Sequence, residues 1–155
     1  MRTYGKFTIH AILGLCLTLT LACKKKKMDE ISPGTVETVQ DKQTPASDTI
    51  GKGTFISYEH GLAGNALLYN EKTGGKILRL TGFNMTPGPN VYVYLSKTSS
   101  YSSSNTIAIT RLTTGYSNSN LNFAVPESYS SEYKYVLVYC IQFNSLFGYA
   151  ELKQP

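Results

Sequence analysis

The chain has no tryptophan, and beyond residue 50 it has no aspartate, one histidine and one cysteine. Each absence removes a class of function. Without tryptophan, a sugar-binding aromatic face loses its usual platform. With His60 as the only histidine and no aspartate beyond residue 50, a Ser-His-Asp relay in that region lacks a member, and no Gly-x-Ser-x-Gly turn exposes a nucleophile. The five glutamates of this region (Glu59, Glu71, Glu127, Glu132 and Glu151) fall mostly at turns or strand ends, so nothing sets two carboxylates across a scissile bond. Phosphate-cradling glycine loops, acidic metal repeats and a Cys-x-x-Cys-His element are missing as well. Basic runs are also scarce here: eight Lys and Arg stand against five Glu, a net +3 spread along the chain, which argues against nucleic acid as a partner.

The N-terminus is different in character. Arg2 and Lys6 precede an apolar stretch over residues 7–22 that is too short for a comfortable membrane span and ends in Ala22 before Cys23. This pattern predicts a signal peptide over residues 1–22. The run Thr20-Leu21-Ala22-Cys23 resembles the lipobox of bacterial lipoproteins, with Thr20 where an aliphatic residue is usual. The resemblance implies that Cys23 is lipidated and that Cys16 is discarded with the leader. The alternatives are an ordinary secretory signal cut nearby or an uncleaved anchor. Lys24, Lys25, Lys26 and Lys27 would then lie at the membrane, where anionic headgroups attract each by on the order of 1 kcal/mol. A basic run followed by acids also resembles surface-export signals of some Gram-negative lipoproteins. The expected location is the cell envelope, lipid-anchored at the outer membrane on its periplasmic or surface face.

Residues 28–50 are rich in Asp, Glu, Thr, Ser, Pro and Lys without sustained hydrophobic period. Such a stretch buries too little surface to offset its ordering entropy, so residues 23–50 are expected to form a lipid-anchored flexible tether. Residues 51–155 remain as a single folded domain.

In that domain the dominant period is two. Leu121, Phe123 and Val125 alternate with polar or small residues; Val91, Val93 and Leu95 alternate with Tyr92 and Tyr94; Val136, Val138 and Cys140 alternate with Tyr135, Leu137 and Tyr139. Further strands are expected over residues 53–57, 65–69, 76–83, 106–112, 133–141 and 147–152. A hairpin is expected at residues 71–75, and loops at 87–89, 99–105 and 113–120. No segment carries a helical stripe. The pattern predicts an all-β fold, an antiparallel β-sandwich of jelly-roll-like or squat-barrel form. Its aliphatic faces form the core, and its tyrosines line the outside of a sheet, where cross-strand aromatic pairs each contribute a few tenths to about 1 kcal/mol. Cys140 points inward or toward the rim.

The stretch Gly88-Pro89-Asn90-Val91-Tyr92-Val93-Tyr94-Leu95-Ser96, followed by the strand ending at Cys140 and then by Phe143 and Phe147-Gly148, resembles the DM-thirteen domain. His60 with Gly64, Gly53 with Phe55, and Leu78, Leu80 and Phe83 fit the same family pattern; Tyr139 and Gln142 depart from it, standing where tryptophan and a basic residue are common. The resemblance covers most of residues 51–152. It implies a β-sandwich with an electron-transfer role, in which the cysteine acts as a bare thiol or as a ligand to a prosthetic group.

A lone thiol cannot cycle through an internal disulfide, so it needs a redox protein partner, a sulfenic acid step or a cofactor. Activation normally comes from a nearby cation, yet Lys134 lies roughly 20 Å back along the strand. His60 and Met85 are the other residues that could join Cys140 in a haem or copper-like site. The competing reading is a buried structural cysteine in a non-catalytic binding module of the envelope. A redox role predicts partial accessibility at Cys140, with residues 143–148 forming the rim of its pocket. The domain reads as a redox accessory rather than a hydrolase.

Overall fold

The computed structural model describes residues 49–58, 60–72 and 74–155. The leader, Cys16, Cys23, the lysine cluster and the tether as far as residue 48 lie outside the described residues. Nine strands form, and no helix occurs among the described residues: β1 (Thr49–Thr54), β2 (Ile56–Ser57), β3 (Ala63–Asn70), β4 (Lys76–Met85), β5 (Val91–Ser96), β6 (Thr106–Leu112), β7 (Tyr116–Ala124), β8 (Tyr135–Cys140) and β9 (Ser145–Glu151). They build two antiparallel sheets, ordered β1-β3-β4-β7 and β2-β9-β8-β5-β6. The two open sheets face each other as a sandwich rather than closing into a barrel.

The alternation read in the sequence sets the core. Leu78, Leu80, Leu121 and Phe123 from the first sheet meet Val91, Val93, Leu95, Val136, Val138 and Cys140 from the second, in one buried cluster. In register, Val91 lies opposite Cys140, Val93 opposite Val138 and Leu95 opposite Val136, so each pair points to the same face.

The strand expected over residues 53–57 is instead divided between the sheets. Residues up to Thr54 pair with β3, whereas Ile56 and Ser57 pair with β9. Phe55 makes the crossing: its ring is buried in the core and its N–H donates to the carbonyl of Gly64 at 2.9 Å. The close approach of β2 requires glycine at position 148, where a Cβ would stand 2.2 Å from the Ile56 carbonyl oxygen.

The loop expected at 113–120 is corrected in a similar way, because β7 begins at Tyr116. Its Ser and Asn residues have the composition of a turn, but their amides maintain the strand through an irregular ladder. The N–H of Asn118, a residue at φ 44°, donates to Asn84 Oδ1 at 2.9 Å, and the N–H of Gly82 donates to Asn120 Oδ1 at 3.2 Å. Side-chain oxygens thus replace backbone partners where the β4–β7 register shifts.

The tyrosines do point away from the main core, but they do not form an open surface. Tyr101, in the serine-rich loop after β5, folds back over them. It stacks on Tyr139 at 4.2 Å with planes 13° apart and meets Tyr94 edge-on at 5.0 Å. Tyr94, Leu137 and Tyr139 are consequently buried in a second, smaller cluster.

Candidate functional site

Four connections meet at one end of the sandwich: Tyr58 with residues 60–62, then 86–90, 113–115 and 141–144. Cys140 ends β8 at this position, so the tight turn 141–144 follows it directly. The turn is closed by the N–H of Asn144 donating to the carbonyl of Ile141 at 3.3 Å, with Asn144 at φ 50°. Asparagine tolerates this left-handed conformation better than most residues that carry a side chain.

The thiol is fully buried. Its S–H donates to the carbonyl oxygen of Pro89 at 2.8 Å, and the next N–H, of Ile141, donates to the carbonyl of Asn90 at 3.1 Å. The loop between β4 and β5 therefore holds both the side chain of Cys140 and the backbone that follows it. Burial here answers the accessibility question differently from the sequence. The redox reading expects partial exposure, with residues 143–148 as an open rim; instead Phe147 and Gly148 are buried, Phe147 in the same cluster as the thiol, and of that segment Phe143 and Asn144 turn out to solvent.

Phe147 reaches that position through a bulge. Val138 pairs with Gly148 and Tyr139 with Leu146, which leaves Phe147 as the extra residue of β9 and directs its ring to the core side. The ring fits because position 88 is glycine: a Cβ there would come within 2.9 Å of Phe147 Cζ and of Val91 Cγ2.

Half-buried His60 packs against Phe147 at the edge of this cluster. Its ring lies 4.2 Å from that of Phe147, tilted by 32°, and its Nε2 is 3.0 Å from the hydroxyl of Ser145. Ser145 is the cross-strand partner of Cys140. The carbonyl of His60 accepts a hydrogen bond from Thr86 Oγ1 at 2.7 Å, so the β4–β5 loop holds His60 from Thr86 and Cys140 from Pro89. The fold has brought together two residues 80 positions apart in sequence, both of which the sequence singles out. Ser145, Thr86 and Pro89 were missed; the signal for Ser145 was the strand parity of the β8–β9 hairpin, and Pro89 lay within the family motif.

Met85, the third expected ligand, is buried at the end of β4 in the main core. The donor set does not fit a haem or copper-type centre as arranged. The thiol is engaged by Pro89, one imidazole nitrogen by Ser145, and no group of three His, Cys, Asp or Glu among the described residues converges on a point. The arrangement fits a bare thiol held in a dry, aromatic corner.

An antiparallel sandwich with one sealed thiol at its loop end, flanked by an aromatic residue and a histidine, defines a class of small thiol-bearing β-domain. The family described as "Electron transfer DM13" matches residues 54–152, and the chain belongs to it. That description gives the domain a general role in redox chemistry. No curated protein and no solved structure matches the chain.

Proposed function

We propose that the domain transfers electrons through one protein thiol, Cys140, and that an acylated Cys23 tethers it to an envelope membrane. The observation that supports this most directly is the placement of Cys140: within the segment matched by the family, directly below a turn, and across the ladder from the serine that meets His60. A single thiol carries out one two-electron step without a cofactor. Deprotonated, it displaces one sulfur of a partner's disulfide, forming a mixed disulfide and freeing the partner's other thiol, while its proton passes to solvent. A second thiol reverses the step.

Because the thiol is sealed, the turn at 141–144 must open for this exchange. Local opening costs less than global unfolding, and turns that hold few buried contacts are where it occurs. The test is incubation of the full chain with oxidised glutathione under native conditions, followed by mass measurement. A glutathione adduct at Cys140, absent from Cys140→Ser, is the expected result. No adduct short of unfolding would count against thiol exchange.

The complete burial of Cys140 favours a second reading, in which the thiol is a packing residue and the sandwich is a binding module of the envelope. That reading expects Cys140→Ser to change stability alone and to leave the redox behaviour of the envelope unaltered.

A further inference from the structure

We infer that the tyrosine cluster on the outer face of the second sheet is a one-electron redox site, in which Tyr94 and Tyr101 share the loss of one electron and one proton to an oxygen-centred radical. The site is separate from the thiol and needs no opening of the turn over Cys140. Six tyrosines, Tyr92, Tyr94, Tyr101, Tyr135, Tyr139 and Tyr149, gather in this cluster, and it holds no phenylalanine. The main core is built the other way, around Phe55, Phe83, Phe123 and Phe147. Packing alone would be served better by phenylalanine, since burying a phenol brings a hydroxyl that needs a partner. What the hydroxyl adds is chemistry: a phenol yields an electron once its proton can leave, and a phenylalanine ring does not.

The rings form a continuous path. Tyr92 meets Tyr94 at 5.8 Å, Tyr94 meets Tyr101 at 5.0 Å, and Tyr101 stacks on Tyr139 at 4.2 Å. Electron exchange falls off steeply with separation, so rings in contact couple strongly. Half-buried Tyr101 covers Tyr94, which is 7 % exposed, and is therefore the ring that a small radical in solution meets first. Arg111 stands cross-strand from Tyr92 and disfavours positive charge at that end of the path.

Protons decide where the radical rests. Burial holds the pKa of Tyr94 and Tyr139 above the ordinary 10.0, so both enter the reaction protonated and must shed a proton with the electron. The hydroxyl of Tyr94 hydrogen-bonds to that of Tyr101, and a hydroxyl can both donate and accept. The hydroxyl of Tyr139 donates instead to Asn144 Oδ1, an amide oxygen too weakly basic to take the proton. The radical therefore stops at the Tyr94–Tyr101 pair. An alkylperoxyl radical takes a hydrogen atom from the Tyr101 hydroxyl and leaves as a hydroperoxide, and Tyr101 becomes a neutral phenoxyl radical. Tyr94 then passes its electron across the ring contact and its proton along the hydrogen bond. Tyr101 is restored, and the radical sits on the buried ring, out of reach of a second radical.

The test exposes the full chain to alkylperoxyl radicals released by a light flash from a water-soluble azo compound, and follows the phenoxyl signal by electron paramagnetic resonance. The expected wild-type signal is long-lived. Tyr94→Phe and Tyr101→Phe keep the rings and their stacking, and each should shorten that lifetime about tenfold, the worth of one hydrogen bond. Tyr69→Phe, outside the cluster, should leave it unchanged. Exchange of the wild-type chain into heavy water should slow the arrival of the radical at the buried ring, because a proton moves with the electron. Equal lifetimes in wild type and Tyr94→Phe would overturn the proposal, as would the lack of an isotope effect, or dimers linked through exposed Tyr58 as the main product. Cys140→Ser separates this site from the thiol. The signal should survive that change even if Cys140 takes up no glutathione; its loss would place the radical on the sulfur and overturn the tyrosine site.

Discussion

The hydroxyl of Ser145, paired across the β8–β9 ladder from Cys140, lies 3.0 Å from Nε2 of His60. One side chain therefore stands in contact with the imidazole and in register with the thiol. The imidazole in turn packs on Phe147, whose ring fills the space that a side chain at Gly88 would need. Thiol, histidine and phenylalanine form one packed unit, and disturbance of any member should be felt by the others.

The first prediction separates a hydrogen-bonded thiol from a mere space-filler. Cys140→Ser keeps a donor for the part-buried Pro89 carbonyl, whereas Cys140→Ala removes it, at a cost of about 0.5–1.5 kcal/mol for the lost hydrogen bond. Urea unfolding should therefore place the alanine variant below the serine variant. The reverse order would mean that the contact with Pro89 adds nothing.

Gly88→Ala should loosen the seal over the thiol. The added methyl meets Phe147 and Val91 at 2.9 Å, an overlap of a kind that typically costs about 1–3 kcal/mol. Labelling of Cys140 by a small thiol reagent should be slow in the wild-type native state and clearly faster in this variant. Equal rates would show that Phe147 is not what protects the thiol.

Tyr101→Ala is expected to uncover the second cluster. Its two ring contacts, with Tyr139 and Tyr94, contribute about 0.5–1.5 kcal/mol each beyond area burial. The variant should lose about 1–3 kcal/mol in denaturant and show greater quenching of tyrosine fluorescence. Unchanged stability would mean that Tyr101 only rests on the sheet.

High pH should unfold the domain through its tyrosines. Burial raises the pKa of Tyr94, Tyr139, Tyr116 and Tyr129 above the ordinary 10.0, and neighbouring tyrosines add to the effect at Tyr94 and Tyr139. Once the pH passes 10.0, the unfolded chain releases these protons while the folded one still holds them, so stability falls as pH rises from there. Below that point both states keep the protons and these groups exert no pH dependence. Tyrosinate absorbance and circular dichroism followed together should show a cooperative step; smooth ionisation with the fold intact would contradict it.

Cys23→Ser should release the protein from membranes or leave an unprocessed precursor in fractionated cells. Mature wild-type protein starting at another residue and lacking acyl chains would refute the anchor.

Much of the sandwich could be read from parity, because a half-buried strand writes its two faces into alternate residues. Val91, Val93 and Leu95 against Val136, Val138 and Cys140 is the plainest case, and the structure places all six in the core. Residues 116–120 escaped because their strand bonds run through Asn side chains, so local composition gave the opposite signal. The cover over the tyrosines escaped because Tyr101 comes from a loop whose path no period describes. At the site, Cys140 and His60 could be picked by their chemistry. The seal over the thiol could not, since it depends on a one-residue bulge that turns Phe147 inward.

The crossing at Phe55 has a mechanical consequence. Thr49, where the described chain begins, and the loops above Cys140 lie at opposite ends of the sandwich, and β1 runs lengthwise between them on the edge of its sheet. A pull on Thr49 with the far loops held fast acts along β1, across hydrogen bonds that stand perpendicular to it. Load applied in this direction is shared by the whole β1–β3 ladder and by the Lys52–Lys153 bridge, instead of peeling them apart one at a time. Phe55, buried between the sheets, acts as the stop at the end of that ladder.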